Sequence, residues 1–99
     1  MSYRIRFAPE AREDLNRLYD FLLERDVDVA DRAFDAIAKA VDFLCNSPFS
    51  CRKAEAANPF LRELIIPFGG AGYVALFEIR DDKTVVVLAI RHQREDDYH

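Results

Sequence analysis

Long apolar stretches are missing from this chain. No run approaches the ~20 residues that a membrane-spanning helix needs. The opening, Met1 to Phe7, alternates and does not build the apolar centre of a secretion signal. A cytoplasmic protein without membrane attachment is expected. Cysteine is scarce: Cys45 and Cys51 are the only two. With no CxxC pair and no histidine at ligand spacing, they read as reduced thiols and not as a zinc site. The three glycines, Gly69, Gly70 and Gly72, fall in one cluster. No Lys-Ser/Thr follows them and the next segment reads as a strand, so the cluster is a hairpin turn, not a phosphate loop. No serine stands in a nucleophile-elbow context. Neither a metal nor a cofactor is expected. Positive charge is also short, with 14 Lys and Arg against 18 Asp and Glu and a net charge of −4. Proteins that grip a nucleic-acid backbone usually cluster cations, so direct sequence-specific DNA binding is not expected.

What is present is ordinary globular material. Ninety-nine residues, 51% of them hydrophobic and 32% charged, make one domain over 1–99. Tyr3 to Phe7 alternates with period two and predicts a strand. Pro9 suits the first helical position, and Glu10, Glu13 and Asp14 suit a helix N-terminus. A first helix is predicted from about Pro9 to Arg25, with a stripe of Ala11, Leu15, Leu18, Tyr19 and Leu22 widened by Phe21 and Leu23. Asp28 is the expected cap of a second helix, from about Val29 to Cys45, whose stripe is Ala33, Phe34, Ile37, Val41 and Leu44. The short break between them requires an antiparallel hairpin. Phe49 to Pro59 has no period and reads as a loop. Leu61 to Ile66, Tyr73 to Ile79 and Thr84 to Ile90 read as strands, with a polar turn at Arg80 to Lys83. The fold class is α+β, in the order β-α-α-β-β-β, with a three-stranded antiparallel meander packed on the helical hairpin.

One helical hairpin covers one face of a sheet, yet Val85 to Ile90 is apolar on both sides and Leu64-Ile65-Ile66 shows the same excess. The surplus points to a partner seated on an apolar surface. Leu64, Ile66, Phe77, Val86 and Leu88 are its expected residues, with Phe21 and Leu23 beside them. The competing readings are that Phe49 to Pro59 folds over the face, or that the last strand is central. The one dense cluster of functional side chains is Arg91 to His99. There His92 offers a general base, Arg94 a phosphate contact and Tyr98 a proton-transfer partner, a set suited to metal-free RNA cleavage. A solvated tail accounts for the same residues.

Several segments resemble a known family. Phe7-Ala8-Pro9-Glu10-Ala11-Arg12-Glu13-Asp14-Leu15 is similar to the opening of ParE-type toxins, with its "A-x-x-D-L". Asp31-Arg32-Ala33 falls where that family starts its second helix. Leu61-Arg62-Glu63-Leu64 resembles its entry to the central strands, and Arg91-His92-Gln93-Arg94-Glu95 its "R-x-x-R-(E/D)" ending. The resemblance to the RelE/ParE toxin family covers nearly the whole chain. It implies the toxin of a type II toxin-antitoxin system, neutralised by a cognate ParD-like antitoxin whose C-terminal segment wraps it. ParE-like members inhibit DNA gyrase by binding, without catalytic residues. RelE-like members cut messenger RNA on the ribosome. The acidic charge, and Val74 where RelE-like nucleases carry an arginine after Gly-Tyr, favour the gyrase inhibitor. Arg91, His92 and Arg94 are then candidates for target contact, together with the loop from Phe49 to Pro59. The alternatives are a RelE-type endonuclease centred on His92, Arg94 and Tyr98, or an inactive member serving as a binding module.

Overall fold

The computed structural model describes residues 2–94. Its elements are β1 (Arg4–Phe7), α1 (Pro9–Leu23), α2 (Val27–Phe43), a 3-10 turn (Pro48–Ser50), β2 (Arg52–Glu55), β3 (Asn58–Phe68), β4 (Ala71–Ile79) and β5 (Thr84–His92). The α+β order read from the sequence holds, with one added strand. Pro9 opens α1 as expected; with no side-chain cap, the Ala8 carbonyl accepts from Arg12 N–H at 3.1 Å. The second helix starts earlier than predicted because Asp26, not Asp28, is its cap. The Asp26 carboxylate accepts from the N–H groups of Asp28 at 2.9 Å and Val29 at 3.3 Å. Among the described residues, no helix is long and apolar enough to cross a membrane.

The five strands lie in the order β1-β5-β4-β3-β2. The three long strands form the antiparallel meander, and β1 joins its edge parallel to β5. The segment from Phe49 to Pro59 is not a plain loop. Its Arg52–Glu55 stretch pairs antiparallel with β3 and extends the sheet. Arg62 secures it by donating to the carbonyls of Pro59 (2.8 Å), Phe49 (3.0 Å) and Cys51 (2.7 Å). Four residues of charged, aperiodic strand (Arg52-Lys53-Ala54-Glu55) carry no alternation to read, so their ladder depends on this tertiary anchor.

A bulge explains the unbroken apolar run of β5. Leu76 and Phe77 are consecutive on β4 but face Ala89 and Val87, leaving Leu88 as the extra residue. Parity therefore changes along β5: Val85, Val87 and then Ile90 all join the core under the helices, each fully buried. They meet Leu64, Ile66 and Phe77 from β3 and β4, and Ala33, Ile37, Val41 and Leu44 from the second helical segment. This corrects the expected partner surface. Leu64 (7% exposed), Ile66 (1%) and Phe77 (0%) belong to the core beneath the helical hairpin and are not presented to solvent. Sheet parity is the reason, since all three alternate onto the covered face. Phe34 departs from the predicted core stripe in the opposite sense: it is half exposed and packs edge-on against Tyr19. The outer face of the sheet carries Glu63, Ile65, Val74, Leu76, Glu78, Val86 and Leu88.

Candidate functional site: a groove between α1 and the β3–β4 turn

Helical spacing places Arg17 with Phe21, and Leu18 with Leu22, on successive turns of α1. This end of the helix faces the β3–β4 turn and the end of β5. Together they enclose a groove of about 740 Å³ whose other walls are Phe68 to Ala71, Tyr73, His92 and Arg94. Glycine makes the geometry possible. Phe68 pairs with Ala71, so Gly69 and Gly70 form a two-residue turn, and Gly69 adopts φ +61°. Gly72, at φ +153°, lies so close to the Ile66 carbonyl that any Cβ would run into it. The Gly72 carbonyl accepts from Gln93 N–H at 2.8 Å, which holds the end of β5 against β4.

The floor is aromatic. Tyr73 is 3% exposed, stacks on Phe68 with centroids 6.3 Å apart, and meets the edge of His92 at 5.6 Å. Burial pushes the Tyr73 hydroxyl above the ordinary tyrosine range, so it stays protonated. His92 Nδ1 accepts from the Arg94 backbone N–H at 3.1 Å. Nδ1 is thus engaged by the backbone of its own turn. On the rim, Phe21 is 54% exposed and the Arg25 guanidinium lies 3.8 Å above its ring. Arg25 also donates to the Phe21 carbonyl at 3.0 Å.

Asp14 fixes the helix to the sheet behind this groove. It is buried, at 5% exposed, and accepts from the Ile90 backbone N–H at 2.9 Å, two residues past the extra residue of the bulge. Arg17 approaches its other oxygen at 3.7 Å. At the far end of the sheet a second, shallower groove of about 540 Å³ lies between the exposed rings of Phe49 and Phe60 and the carboxylates of Glu78, Asp81 and Asp82.

The residues expected at a site are thus divided. Phe21, His92 and Arg94 meet in the first groove. Leu23 is partly buried at the end of α1 and does not line it. Arg91, paired with Val74, is half-buried and donates to the carbonyls of His92 (3.3 Å) and Gln93 (3.4 Å). Val86 (7% exposed) and the half-buried Leu88 stand on the outer face. Tyr98 lies outside the described residues. Sequence reasoning missed Arg17, Phe68 and Tyr73. The available signal was the glycine cluster, which brings the strand ends on either side of it together.

Comparison with known proteins accounts for this architecture. The model of the ParE toxin of the type II toxin-antitoxin system parDE matches residues 5–97. Toxin RelE3 of Caulobacter vibrioides is 37% identical over 92 residues, covering 92% of this chain and 95% of that protein. Toxin RelE1 of the same organism is 32% identical over 79 residues, covering 80% and 82%. A solved structure described as the chromosomal ParDE TA system from P. aeruginosa shares the fold, with a TM-score of 0.72 at 20% identity over 92% of this chain and 96% of that one. The family match and the two relatives therefore place the chain among the toxins of type II toxin-antitoxin systems. The chain belongs to the ParE toxin family, within the wider RelE/ParE group.

Proposed function

We propose that this toxin acts by binding, with DNA gyrase as its target, and that a ParD-like antitoxin holds it silent by wrapping its C-terminal segment around the chain. The observation that carries this reading is the engagement of His92: its Nδ1 accepts from the Arg94 N–H and is thereby occupied within its own turn. The neighbouring Tyr73 is buried and held protonated. Val74, at 2% exposed, is apolar and stands between Ile65 and Arg91 on the outer face, so position 74 itself supplies no cation to a phosphate. The antitoxin is supported by the family's description and by the ParDE title of the structural neighbour.

A second reading has its own support. Both relatives bear RelE names, and His92 and Arg94 do meet in one groove. A RelE-type endonuclease would use them. The deciding experiment is induction of His92→Ala and of the wild type, alone and with the neighbouring gene, while following DNA supercoiling and message integrity. The expected result is growth arrest with DNA damage from both chains, relieved by the neighbour, with messages intact. Rapid loss of translated messages from the wild type, abolished by His92→Ala, would replace the gyrase reading with the nuclease.

A further inference from the structure

The shallower groove lies at the opposite end of β4 from the groove beside α1, where the β4–β5 turn meets the start of β3. Its apolar wall is aromatic. Phe49 and Phe60 are 48% and 50% exposed, and their rings meet edge-on with centroids 6.1 Å apart. Single exposed apolar residues are ordinary, but these two rings are held in place. The Arg62 guanidinium lies 5.2 Å from the centre of the Phe49 ring and donates to the carbonyls of Phe49 and Cys51. The Phe60 N–H donates to Asn58 Oδ1 at 3.0 Å. Side chains fixed beforehand lose little freedom when a partner covers them. The facing wall is Glu78, Asp81 and Asp82 with Arg80. Arg80 pairs with Glu78 at 2.9 Å, which leaves the sign of the wall to Asp81 and Asp82, both exposed. The Lys83 N–H holds the Asp81 carboxyl below its ordinary value and helps keep it ionised. Arg4 and Lys83 line a separate hollow that shares Asp81, and they do not line this groove.

We propose that this groove takes a basic segment of the toxin's target, with a Lys or Arg side chain lying over Phe49 and Phe60 and its charge meeting Asp81 and Asp82. The inference rests on the reading that the toxin acts by binding gyrase, and it names the surface and the chemistry of that contact. Charge complementarity selects the occupant. A cation here is attracted by an aromatic face and by carboxylates at once. Arg62 on Phe49 and Arg25 on Phe21 are the same pairing within the chain. A nucleic-acid backbone would set phosphates against the acidic wall. A second copy would bring another net charge of −4. A basic protein segment meets neither obstacle. The two grooves also share no described lining residue, so one can be occupied without displacing what sits in the other.

The test uses the full-length toxin with the protein encoded by the neighbouring gene and with purified gyrase. Phe60→Ser and Asp82→Lys change exposed residues, and circular dichroism checks that each variant folds. Both should bind the antitoxin as the wild type does, fail to arrest growth, and need a roughly tenfold higher concentration to inhibit supercoiling. Asp82→Glu, which keeps the charge, should stay close to wild type. Added salt should weaken gyrase capture by the wild type more than by Asp82→Lys. A photo-crosslinking phenylalanine analogue in place of Phe60 should join to a gyrase peptide that carries Lys or Arg. If both variants arrest growth and inhibit supercoiling as the wild type does, the groove assignment is overturned while the gyrase reading stands. If the wild type arrests growth but leaves supercoiling untouched, the gyrase reading falls and growth arrest decides the groove. Arrest lost in both variants with antitoxin binding kept then supports it, and arrest retained overturns it. Loss of antitoxin binding in both folded variants would give the groove to the antitoxin, and a crosslink to a second copy of the chain would give it to self-association; either overturns the proposal.

Discussion

Asp14 shows how one side chain can look functional and serve the fold. It lies in the stretch that resembles the family's opening motif, yet it is 5% exposed and spends one oxygen on the Ile90 N–H. The β5 bulge lies close by, so a side chain supplies the acceptor for that buried amide. Asp14→Ala should leave the amide unsatisfied and lower stability by about 1–3 kcal/mol. Asp14→Asn, which keeps an oxygen acceptor, should cost less. Urea denaturation measures both, and equal midpoints for Asp14→Ala and wild type would show the bond to be dispensable. Gly72 is the second such residue. A Cβ there meets the Ile66 carbonyl, which is backbone and cannot turn aside. Gly72→Ala should cost about 1–3 kcal/mol, the scale of backbone strain, and should disturb the groove wall at Tyr73. Gly70→Ala, where open space surrounds the added carbon, is the control. A Gly72→Ala variant as stable as that control would show that the strands separate at little cost.

Elements were legible wherever periodicity and punctuation agreed. Pro9, the two amphipathic stripes and the polar turn after β4 placed both helices and the meander, because each signal is local. The helix-start signal at Asp28 was displaced by two residues, since Asp26 is an equally good capping residue and the chain enters the helix there. Pairing that depends on distant residues was not legible. The short β2 exists through Arg62, and the bulge at Leu88 moved Ile90 to the covered face. That same parity change hid the true surface, so Leu64, Ile66 and Phe77 were assigned to a partner although they build the core. The β4–β5 turn makes a prediction of its own. The Lys83 N–H donates to Asp81 at 2.8 Å, and this bond, with help from Thr84, holds the Asp81 carboxyl below its ordinary value of 3.8. A lowered folded value means that the stabilisation is present above pH 3.8 and is lost as pH falls through the folded value. The unfolding midpoint of Asp81→Asn should therefore lie below that of wild type at neutral pH and converge with it in acid. A difference that grew on acidification would have the wrong sign for this bond.

At the scale of the molecule, the sheet separates structure from recognition. Its covered face is core, while its outer face presents Ile65, 40% exposed, next to the half-buried Leu76 and Leu88. Ion pairs fringe this patch, Arg52 with Glu63 at 3.0 Å and Arg80 with Glu78 at 2.9 Å. Such a face is stable in water without being polar at its centre, and that centre is open to a partner. A wrapping antitoxin would lie across it as well as in the groove beside α1. Ile65→Asp tests that division. The side chain already meets solvent, so the free chain should keep its thermal midpoint, with a stability change within about 0.5 kcal/mol. Antitoxin affinity should drop by about tenfold, since an apolar contact is replaced by a charge that must be desolvated. Isothermal titration on the folded variant reads the affinity directly. Unchanged antitoxin binding would confine the partner to the groove and leave the outer face to the toxin's target, an outcome that growth arrest by the same variant would then separate from a surface with no recognition role.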